Sequence, residues 1–345
     1  MPLSNARPEF ERGPLVTIAI PTFNRASWLR DCVLSALSQT CQHFELLISD
    51  NASTDETPEV LKEFTDPRIR VVRQKANIGL IPNWNACLAC ARGDYIVFVS
   101  DDDRIQPLML ECCIALLERE PNIPVVIGLC DRRSAVLNRT WPATPNQRLG
   151  TGVWDGTDVL LEYFNDDICI AMCSILIRTS ALRAIGGFPV EFPYVGDMAA
   201  WSLLLLTGKA GLVNEACATF HHHGDSATSR STLEGLIDDE RRFADRVVEA
   251  AGRLVVDSQK CGQIILAAKR YFARRCVRLI LDQRKTDGQL KEALLLIWRS
   301  RNYAGHIGRV IGFTLAREVA LILLPKPIIQ RIRESGVSRS LIRRI

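Results

Sequence analysis

The sequence predicts an α/β protein in which a mainly parallel sheet carries helices on both faces and a helical extension follows at the carboxyl end. Two observations support this fold class. Short apolar, β-branched runs alternate with helical patterns over residues 14–120, and alternation at this spacing is typical of doubly wound sheets. From about residue 233 the alternation gives way to long amphipathic helical patterns.

The first half of the sheet is the most regular part of the pattern. In chain order its predicted elements are strand 15–20, helix 26–39, strand 44–48, helix 53–64, strand 69–72, helix 83–91 and strand 95–99. Each strand is a short apolar run, and each helix repeats its apolar residues at helical spacing. Ser53 and Glu56 have the spacing of a capping box, which opens the second helix. Because the strands are parallel, their carboxyl ends share one edge of the sheet.

The middle of the chain is less regular. Its predicted elements are strand 125–129, strand 174–177, helix 180–185, helix 197–206 and strand 211–220. Residues 131–152 are rich in Pro, Arg, Asn and Thr and predict a long loop. Loops of this length in compact domains are often functional, so we expect the variable stretch 131–170 to help choose an acceptor.

The carboxyl-terminal region consists of predicted helices and a basic tail. The helices are 234–252, 257–283, 288–300 and 306–324. Residues 317–345 mix apolar and basic side chains, which suits an anionic membrane surface. A solvated helix face that covers the domain would have the same composition. The expected organisation is a flexible leader 1–13, a domain 14–232 with halves 14–120 and 121–232, and a helical region 233–345.

Composition and charge restrict the classes of function. With 43 basic and 39 acidic residues the net charge is +4, which is too mild to indicate nucleic-acid binding. The 12 cysteines show no framework spacing, so we expect free thiols and a reducing, cytoplasmic compartment. Residues 1–13 are polar and do not resemble a secretory signal. The sequence contains no uncharged apolar run of about 18 residues, the length needed to span a bilayer.

The apolar run 95–99 ends in three consecutive carboxylates, Asp101, Asp102 and Asp103. A buried strand would place them together at the rim of the sheet, where open α/β folds bind ligands. Three like charges need a counterion, and Mg²⁺ or Mn²⁺ with a bound diphosphate would supply one. Alternatively, the carboxylates form a solvated turn at the start of a helix near Pro107.

Four short motifs follow one another at the ends of successive strands. They are Pro21-Thr22-Phe23-Asn24-Arg25, Asp50-Asn51-Ala52-Ser53-Thr54-Asp55, Asn77-Ile78-Gly79 with Asn83, and Ser100-Asp101-Asp102-Asp103. In this order and spacing they closely resemble the family-2 glycosyltransferases of the GT-A fold, inverting enzymes that use nucleotide-diphosphate sugars. The resemblance is strong over residues 14–120, fair through residue 230 and absent beyond it.

The resemblance implies a nucleotide-sugar site on the first three motifs. The loop after the first strand would wrap the nucleotide base, and Asp50 would accept a hydrogen bond from uracil or ribose. The residues implied in nucleotide-sugar binding are Pro21, Thr22, Asn24, Arg25, Asp50, Asn77, Gly79, Asn83, Asp101 and Asp102. From the residues alone, Asp50 could equally be a turn carboxylate that bonds its own backbone, and the motif around Gly79 could be a plain loop.

The resemblance also implies a divalent cation, Mn²⁺ or Mg²⁺, at the acidic motif. Ser100 stands where many relatives carry an aspartate, which shifts the assignment of the metal ligand by one position. We expect Asp103 and then Asp102 to bind the metal, with Asp101 on the ribose. His223 matches a histidine that approaches the diphosphate or its metal in several relatives. Alternate residues of a strand point to opposite faces, so three successive histidines cannot all converge on one ion without a turn.

Asp197 is the candidate general base. An inverting displacement requires the acceptor hydroxyl to lose its proton as it attacks, and Gly196-Asp197 resembles the acidic motif that supplies this base in the family. An aspartate at a helix start is also a common amino-terminal cap. Trp141 and Trp154 are open to stacking on an acceptor sugar.

The motifs and the family resemblance together imply a metal-dependent inverting glycosyltransferase that moves a sugar from a nucleotide-diphosphate sugar, with UDP expected, to a hydroxyl of a glycan or lipid-linked acceptor. Polysaccharide biosynthesis on the cytoplasmic face of a membrane is the expected setting, by analogy. A nucleotidyltransferase is the rival enzyme, although residues 21–25 lack the glycine-rich, basic loop that it would need. A non-catalytic nucleotide- or glycan-binding protein that keeps the fold is the second alternative.

Overall fold

The computed structural model describes residues 16–135, 138–224, 226 and 231–287. The predicted leader and the predicted helices beyond residue 287, including the basic tail, lie outside these residues. The strands are β1 (Val16–Thr22), β2 (Phe44–Asp50), β3 (Ile69–Arg73), β4 (Tyr95–Phe98), β5 (Arg104–Ile105), β6 (Val125–Ser134), β7 (Arg139–Trp141), β8 (Gly152–Asp155), β9 (Ile175–Arg178) and β10 (Lys209–His222). The helices are α1 (Ala26–Leu37), α2 (Thr57–Lys62), α3 (Leu80–Cys90), α4 (Met109–Arg119), α5 (Gly156–Phe164), α6 (Thr179–Ala184), α7 (Gly196–Leu206), α8 (Leu233–Leu254) and α9 (Ser258–Asp287).

The strands form one sheet in the order β3-β2-β1-β4-β9-β6-β10-β5, with β7 added to β6 and β8 added to β10. The longest ladders are parallel and join β1 to β2, β2 to β3, β1 to β4 and β6 to β10. Antiparallel β9 sits between β4 and β6. The predicted α/β class with a mainly parallel sheet is confirmed.

The apolar residues of the strands divide between the two faces of the sheet. Val16, Ile18 and Ile20 of β1 lie in the core under α1 and α4, whereas Ala19 faces the core under α3, α5 and α7. This alternation follows from the two-residue period of a strand. Both faces are therefore covered, which explains why β1 and β2 are mostly apolar.

Helices α8 and α9 pack on the sheet domain. Phe243 of α8 and Tyr271 of α9 are buried in the same apolar core as Trp201 of α7, and the hydroxyls of Tyr163 and Tyr271 lie 2.7 Å apart. Among the described residues, no helix combines the length and the apolar character needed to cross a membrane. All 12 cysteines are free thiols, as expected.

The prediction of a long loop over residues 131–152 is wrong. Strand β6 continues to Ser134, and β7 pairs back on it as an antiparallel hairpin. Strand β8 pairs with β10, and the stretch up to residue 170 contains helix α5. The sequence pattern did not predict these strands because they carry polar residues on solvent-exposed faces. They also pair with strands that are distant in the sequence.

The predicted capping box of α2 is also wrong. The helix begins at Thr57, and Glu56 precedes it without a side-chain cap. The Ser53 hydroxyl instead accepts a hydrogen bond from the backbone N–H of Asn24, at 2.9 Å. Residues expected to start a helix thus bind the neighbouring loop.

Candidate active site

The loops after β1 and β2 are joined by hydrogen bonds at the carboxyl edge of the sheet. Asn24 has a left-handed backbone (φ +54°), which asparagine tolerates better than most residues. Its side-chain oxygen accepts from the backbone N–H of Thr54 at 2.8 Å. The carboxylate of Asp55 accepts from the backbone N–H of Ala26 at 3.2 Å. The two motifs therefore form one connected rim.

Asp50 is buried at the end of β2. One of its oxygens accepts from the backbone N–H of Ser53 at 2.9 Å, and the other forms an ion pair with Arg73. The turn role that the residues alone allowed is therefore present. Each carboxylate oxygen has a further lone pair, so a role in base or ribose recognition stays a prediction.

The motif around Gly79 is tied to the same rim by Asn51. The Asn51 amide donates to the side-chain oxygen of Asn77 at 2.9 Å, and its oxygen accepts from the backbone N–H of Ile78 at 2.9 Å. Gly79 has φ +93°, a conformation that favours glycine. Sequence reasoning missed the bridging role of Asn51, because its partners lie more than 25 residues away in the chain.

Asn83 lies behind this rim. Its side chain is buried, accepts from the Ser49 hydroxyl at 2.7 Å and donates to the Ser49 carbonyl at 3.0 Å. Asn83 therefore fixes α3 to the end of β2. Its predicted contact with a nucleotide stays a prediction.

The three carboxylates after β4 have different surroundings. The Arg25 guanidinium lies 3.6 Å from the Asp101 carboxylate. Burial, and then the charge of Asp102, raise the pKa of Asp101 to about 7. Asp103 is only 2% exposed and accepts from the backbone N–H of His221 at 2.9 Å. Burial, followed by the charge of Asp102, raises the pKa of Asp103 well above its usual value.

Asp102 is the carboxylate that meets a histidine. Its oxygen lies 2.7 Å from Nε2 of His223. The Trp28 ring stacks on His223 with 4.6 Å between ring centroids and 22° between planes. Two residues predicted as metal ligands, far apart in sequence, are therefore in contact. Trp28 was missed by sequence reasoning, since nothing local marks a helix tryptophan as a neighbour of a distant histidine.

The three histidines alternate as expected for a strand. His221 and His223 are buried, whereas His222 is exposed. Burial, and then the positive charges of Arg104 and Arg133, lower the pKa of His221. The ring of His223 contacts the carboxylate of Asp102.

The acidic motif fits a divalent cation that is held only partly by protein. No three His, Cys, Asp or Glu side chains within the described ranges are arranged to hold a metal ion by themselves. Asp102 and His223 nevertheless supply an oxygen and a nitrogen ligand side by side, beside two buried carboxylates. Mg²⁺ and similar ions commonly take one or two protein ligands and complete their shell with substrate phosphates and water, so the donor set is suitable.

Asp197 lies in the first turn of α7. Burial raises its pKa to about 6, and the charge of Glu240 adds to the increase. The preceding Gly196 packs so closely on α3 that a Cβ there would come within 2.9 Å of Cδ1 of Ile81. The start of α7 therefore lies beside the start of α3, just after the Gly79 loop.

Helix α8 holds the loop that leads into Asp197. The buried Asp239 carboxylate accepts from the backbone N–H of Tyr194 at 2.7 Å. The Arg242 guanidinium donates to the Glu191 carbonyl at 2.8 Å, and Arg246 pairs with the Glu191 carboxylate at 2.9 Å. The amino end of α7 is thus fixed from both sides, by α3 and by α8.

The candidate tryptophans have separate positions. Trp141 is 36% exposed on β7. Trp154 lies on β8 and its indole N–H donates to the Gly150 carbonyl at 2.9 Å. Trp201 is buried in the core.

The chain is similar to known glycosyltransferases in sequence and in fold. Residues 17–184 match the family model described as glycosyl transferase family 2. An uncharacterized glycosyltransferase of Haemophilus influenzae is 24% identical over 230 residues, which are 64% of this chain and 69% of that protein. The chondroitin synthase of Escherichia coli is 32% identical over 258 residues, 72% of this chain but 34% of the synthase. The match therefore spans about a third of that larger enzyme.

Solved structures show the fold. Staphylococcus aureus TarS (residues 1–349), in complex with UDP-GlcNAc, superposes with a TM-score of 0.59 at 17% identity, covering 80% of this chain and 75% of that one. The mannosyltransferase PcManGT of Pyrobaculum calidifontis, in complex with GDP-Man and Mn²⁺, has a TM-score of 0.53 at 18% identity and covers 98% and 90% of the two chains. Residues 17–184, just under half of the chain, thus match glycosyltransferase family 2, and the architecture of the protein is that of the GT-A glycosyltransferases.

Proposed function

We propose that this protein transfers a sugar from a nucleotide-diphosphate sugar, with UDP as the nucleotide, to a hydroxyl of a glycan or lipid-linked glycan, with inversion at the anomeric carbon. The observation that carries the proposal is the contact between Asp102 and His223 beside two buried carboxylates at the carboxyl edge of the sheet. Within the described residues, Arg25 forms an ion pair with Asp101, and the His223 ring contacts Asp102. A divalent cation would offset the negative charge of these carboxylates and could bind the diphosphate of the sugar donor at the same place.

Asp102 and His223 are the residues that would hold Mn²⁺ or Mg²⁺. Asp103, the first choice from sequence, is turned inward and already accepts the backbone N–H of His221. We therefore favour Asp102 as the carboxylate ligand. Asp103 would instead hold the end of β10, the strand that leads to His223. When bound, the cation supplies stabilisation of the negative charge that develops on the departing diphosphate, worth several kcal/mol in such reactions.

The joined loops after β1, β2 and β3 supply the nucleotide side. Asn24, Asn51 and Asn77 hold these loops in one arrangement, so the backbone that a nucleoside would contact is organised before it binds. Preorganisation of this kind lowers the cost of binding. The nucleotide itself is open to test, because one structural neighbour was solved with UDP-GlcNAc and another with GDP-Man.

Asp197 would accept the proton of the acceptor hydroxyl. The pKa of about 6 keeps most of the carboxylate ionised at neutral pH and makes it a stronger base than an ordinary aspartate. The anchored loop and α3 fix its position, which matters because a general base must lie within hydrogen-bond reach of the proton it takes.

Polysaccharide synthesis is the proposed setting. Relatives that match 63–72% of this chain include chondroitin synthases and a hyaluronan synthase, each of which is several times longer than the shared segment.

Attachment to an anionic membrane surface rests on the composition of residues 317–345. Deleting residues 317–345 should move the protein from the membrane fraction to the soluble one, and an unchanged distribution would refute this part.

A panel of nucleotide sugars tests the function. We expect one of them, with Mn²⁺, to raise the midpoint of thermal unfolding and to yield a free nucleoside diphosphate when a glycan acceptor is added. A nucleotidyltransferase would instead release pyrophosphate from a nucleoside triphosphate. A non-catalytic binding protein would be stabilised by a nucleotide sugar without releasing any product.

A further inference from the structure

Strands β6 and β7 form a basic hairpin beside the candidate active site. Arg132 and Arg133 are exposed at the end of β6, and Arg139 and Trp141 are exposed on β7. We call Arg132, Arg133, Arg139 and Trp141 the arginine hairpin. The sequence analysis placed these residues in a loop, so the arrangement is visible only in the structure.

The pairing of the two strands places two arginines and the tryptophan on one face. Arg132 lies directly opposite Trp141, and Arg139 is opposite Ser134. Directly paired residues, and residues two apart on one strand, share a face of the sheet. The Arg139 guanidinium lies over the Trp141 ring, 5.2 Å from its centroid. Arg132 and Arg139 are thus diagonal neighbours, a relation that places Cα atoms about 7–8 Å apart.

Among the described residues, these guanidinium groups lack an acidic partner: no ion pair or side-chain hydrogen bond joins Arg132, Arg133 or Arg139 to a carboxylate there. Arginines elsewhere are paired, for example Arg73 with Asp50 and Arg148 with Glu162. Like charges held close together repel, and opposite charges across strands stabilise a sheet. A bound anion would relieve this repulsion.

The arginine hairpin is hydrogen-bonded directly to β10, the strand that ends in His221 and His222. The backbone N–H of Ala135 donates to the His222 carbonyl at 3.0 Å, and Ser134 pairs with His222 in the ladder. His223, the next residue, contacts Asp102. Neighbouring strands are about 4.8 Å apart, and β6 lies between β7 and β10, so β7 lies about 10 Å from β10. An acceptor whose terminal sugar reached the reaction site could extend over this face.

We propose that the arginine hairpin is a subsite for an anionic acceptor glycan, in which Arg132 and Arg139 together bind a carboxylate or phosphate group of a sugar residue behind the one that is extended. This proposal rests on the proposed glycosyl transfer. Arginine forks match carboxylate and phosphate geometry, and the Trp141 ring keeps Arg139 in place. A glycan is favoured over a flat lipid surface because the face lies next to the metal side of the site.

The test compares two double variants of the full chain. Arg132→Ala with Arg139→Ala removes the charged pair of the arginine hairpin. Arg92→Ala with Arg119→Ala removes the same charge from two exposed positions that lie on neither strand of the hairpin. Three probes are titrated in the presence of UDP and Mn²⁺: a tetrasaccharide of alternating N-acetylglucosamine and glucuronic acid, a ribitol phosphate tetramer, and a neutral N-acetylglucosamine tetrasaccharide.

We expect the parent protein to bind at least one anionic probe about tenfold or more tightly than the neutral one. The hairpin variant should lose most of this difference, since charge-assisted hydrogen bonds are among the strong ones. It should bind the neutral probe and UDP as the parent does, and the Arg92/Arg119 variant should behave like the parent throughout. The anionic probe that binds more tightly identifies carboxylate or phosphate as the natural group.

Three results would overturn the proposal. Equal binding of neutral and anionic probes by the parent would show that the hairpin is not a subsite for anionic sugars. Weaker UDP binding by the hairpin variant would assign the arginines to the sugar donor. Loss of binding to phosphatidylglycerol vesicles, with acceptor binding unchanged, would assign them to a membrane. Failure of the proposed function would look different, because the parent protein would then neither bind nor consume any nucleotide sugar.

Discussion

Asp102 and Asp103 are adjacent in sequence but have different roles in this structure. Asp102 contacts the ring of His223, whereas Asp103 accepts a backbone N–H from the strand that carries the histidines. Only the first arrangement leaves a carboxylate oxygen and an imidazole nitrogen together where a cation could bind both. Position in the fold thus separates residues that the sequence could not separate.

Replacing Asp102 should remove metal-dependent activity. We expect Asp102→Asn to lower kcat by about 100-fold or more, since a metal's contribution of several kcal/mol corresponds to at least two powers of ten. Mn²⁺ affinity, followed by electron paramagnetic resonance in the presence of UDP, should fall in parallel. The comparison variant is Asp103→Asn, which keeps an acceptor oxygen for His221 and should retain Mn²⁺ binding. Loss of Mn²⁺ binding in Asp103→Asn, with Mn²⁺ binding kept in Asp102→Asn, would identify Asp103 as the metal ligand instead.

Asp197 should govern the pH dependence. Its pKa is raised to about 6 by burial, and only the ionised form can accept a proton. The value of kcat/KM should therefore fall as the pH is lowered through about 6 and level off above it. Measuring this profile for Asp197→Asn should give a low rate without that step, and a profile with the parent's inflection would show that another group titrates.

The same shift has a consequence for stability. The pKa of Asp197 is higher in the folded protein than in the unfolded chain, so the folded state disfavours its ionised form. This penalty is absent below the unfolded pKa, grows as the pH rises from about 4 to about 6, and is constant above. We expect Asp197→Asn to increase the free energy of unfolding at pH 7 relative to the parent, with the increase vanishing at low pH. Urea unfolding at several pH values measures it.

Helix α8 is the element that ties the carboxyl-terminal region to the candidate site. Its Asp239 accepts the backbone N–H of Tyr194, three residues before Asp197, and its arginines bind Glu191 in the same loop. The Arg242 and Arg246 guanidinium groups also lie over the Phe192 ring, 5.4 and 5.6 Å from its centroid. These contacts set the direction in which α7 begins.

Weakening this anchor should lower kcat more than it changes sugar-donor binding. We expect Asp239→Ala to reduce kcat about tenfold or more, because small misplacements of a reacting group are costly, while UDP affinity stays near the parent's. Asp239→Asn keeps an acceptor oxygen and should recover part of the loss. The matched control is Asp245→Ala, which removes an exposed carboxylate of the same helix that pairs with Arg241. Equal losses in kcat and UDP affinity would indicate general disruption instead.

The elements that could be predicted from sequence are those with local signals. Strands β1, β2 and β4 are mostly apolar because both of their faces are buried. Once these strands are parallel, the polar residues that follow them must lie at one edge of the sheet. The end of β6, strand β7 and helix α5 carry mixed residues whose structure depends on distant partners. Ser53 is a similar case. The sequence has the spacing of a capping box there, but the Ser53 hydroxyl accepts a hydrogen bond from the distant Asn24.

At the scale of the whole molecule, helices α8 and α9 are part of the main core. Phe243, Val247, Ile264 and Tyr271 are buried with Trp201 and Leu205 of α7. Arg275 of α9 pairs with the buried Glu240 of α8, and Arg274 with Asp166 next to α5. The expected boundary near residue 232 therefore marks a change in sequence pattern. Helices α8 and α9, which follow it, share apolar contacts with the sheet domain.

Truncation tests whether the sheet domain folds without these helices. We expect a chain that ends at residue 232 to lose a cooperative thermal transition or to aggregate, because it would expose the apolar face that α8 and α9 cover. Differential scanning calorimetry of the truncated and full chains makes the comparison. A truncated protein with an unchanged melting temperature would show that residues 14–232 are an independent domain.

The central claim is that one site binds a metal nucleotide sugar through Asp102 and transfers the sugar with Asp197 as base. The most direct test measures UDP-sugar affinity and UDP release together for the parent and Asp197→Asn, with Mn²⁺ and an acceptor present. The account predicts that Asp197→Asn binds the sugar donor as tightly as the parent but releases UDP at least about 100-fold more slowly. Turnover by Asp197→Asn at the parent's rate would contradict it.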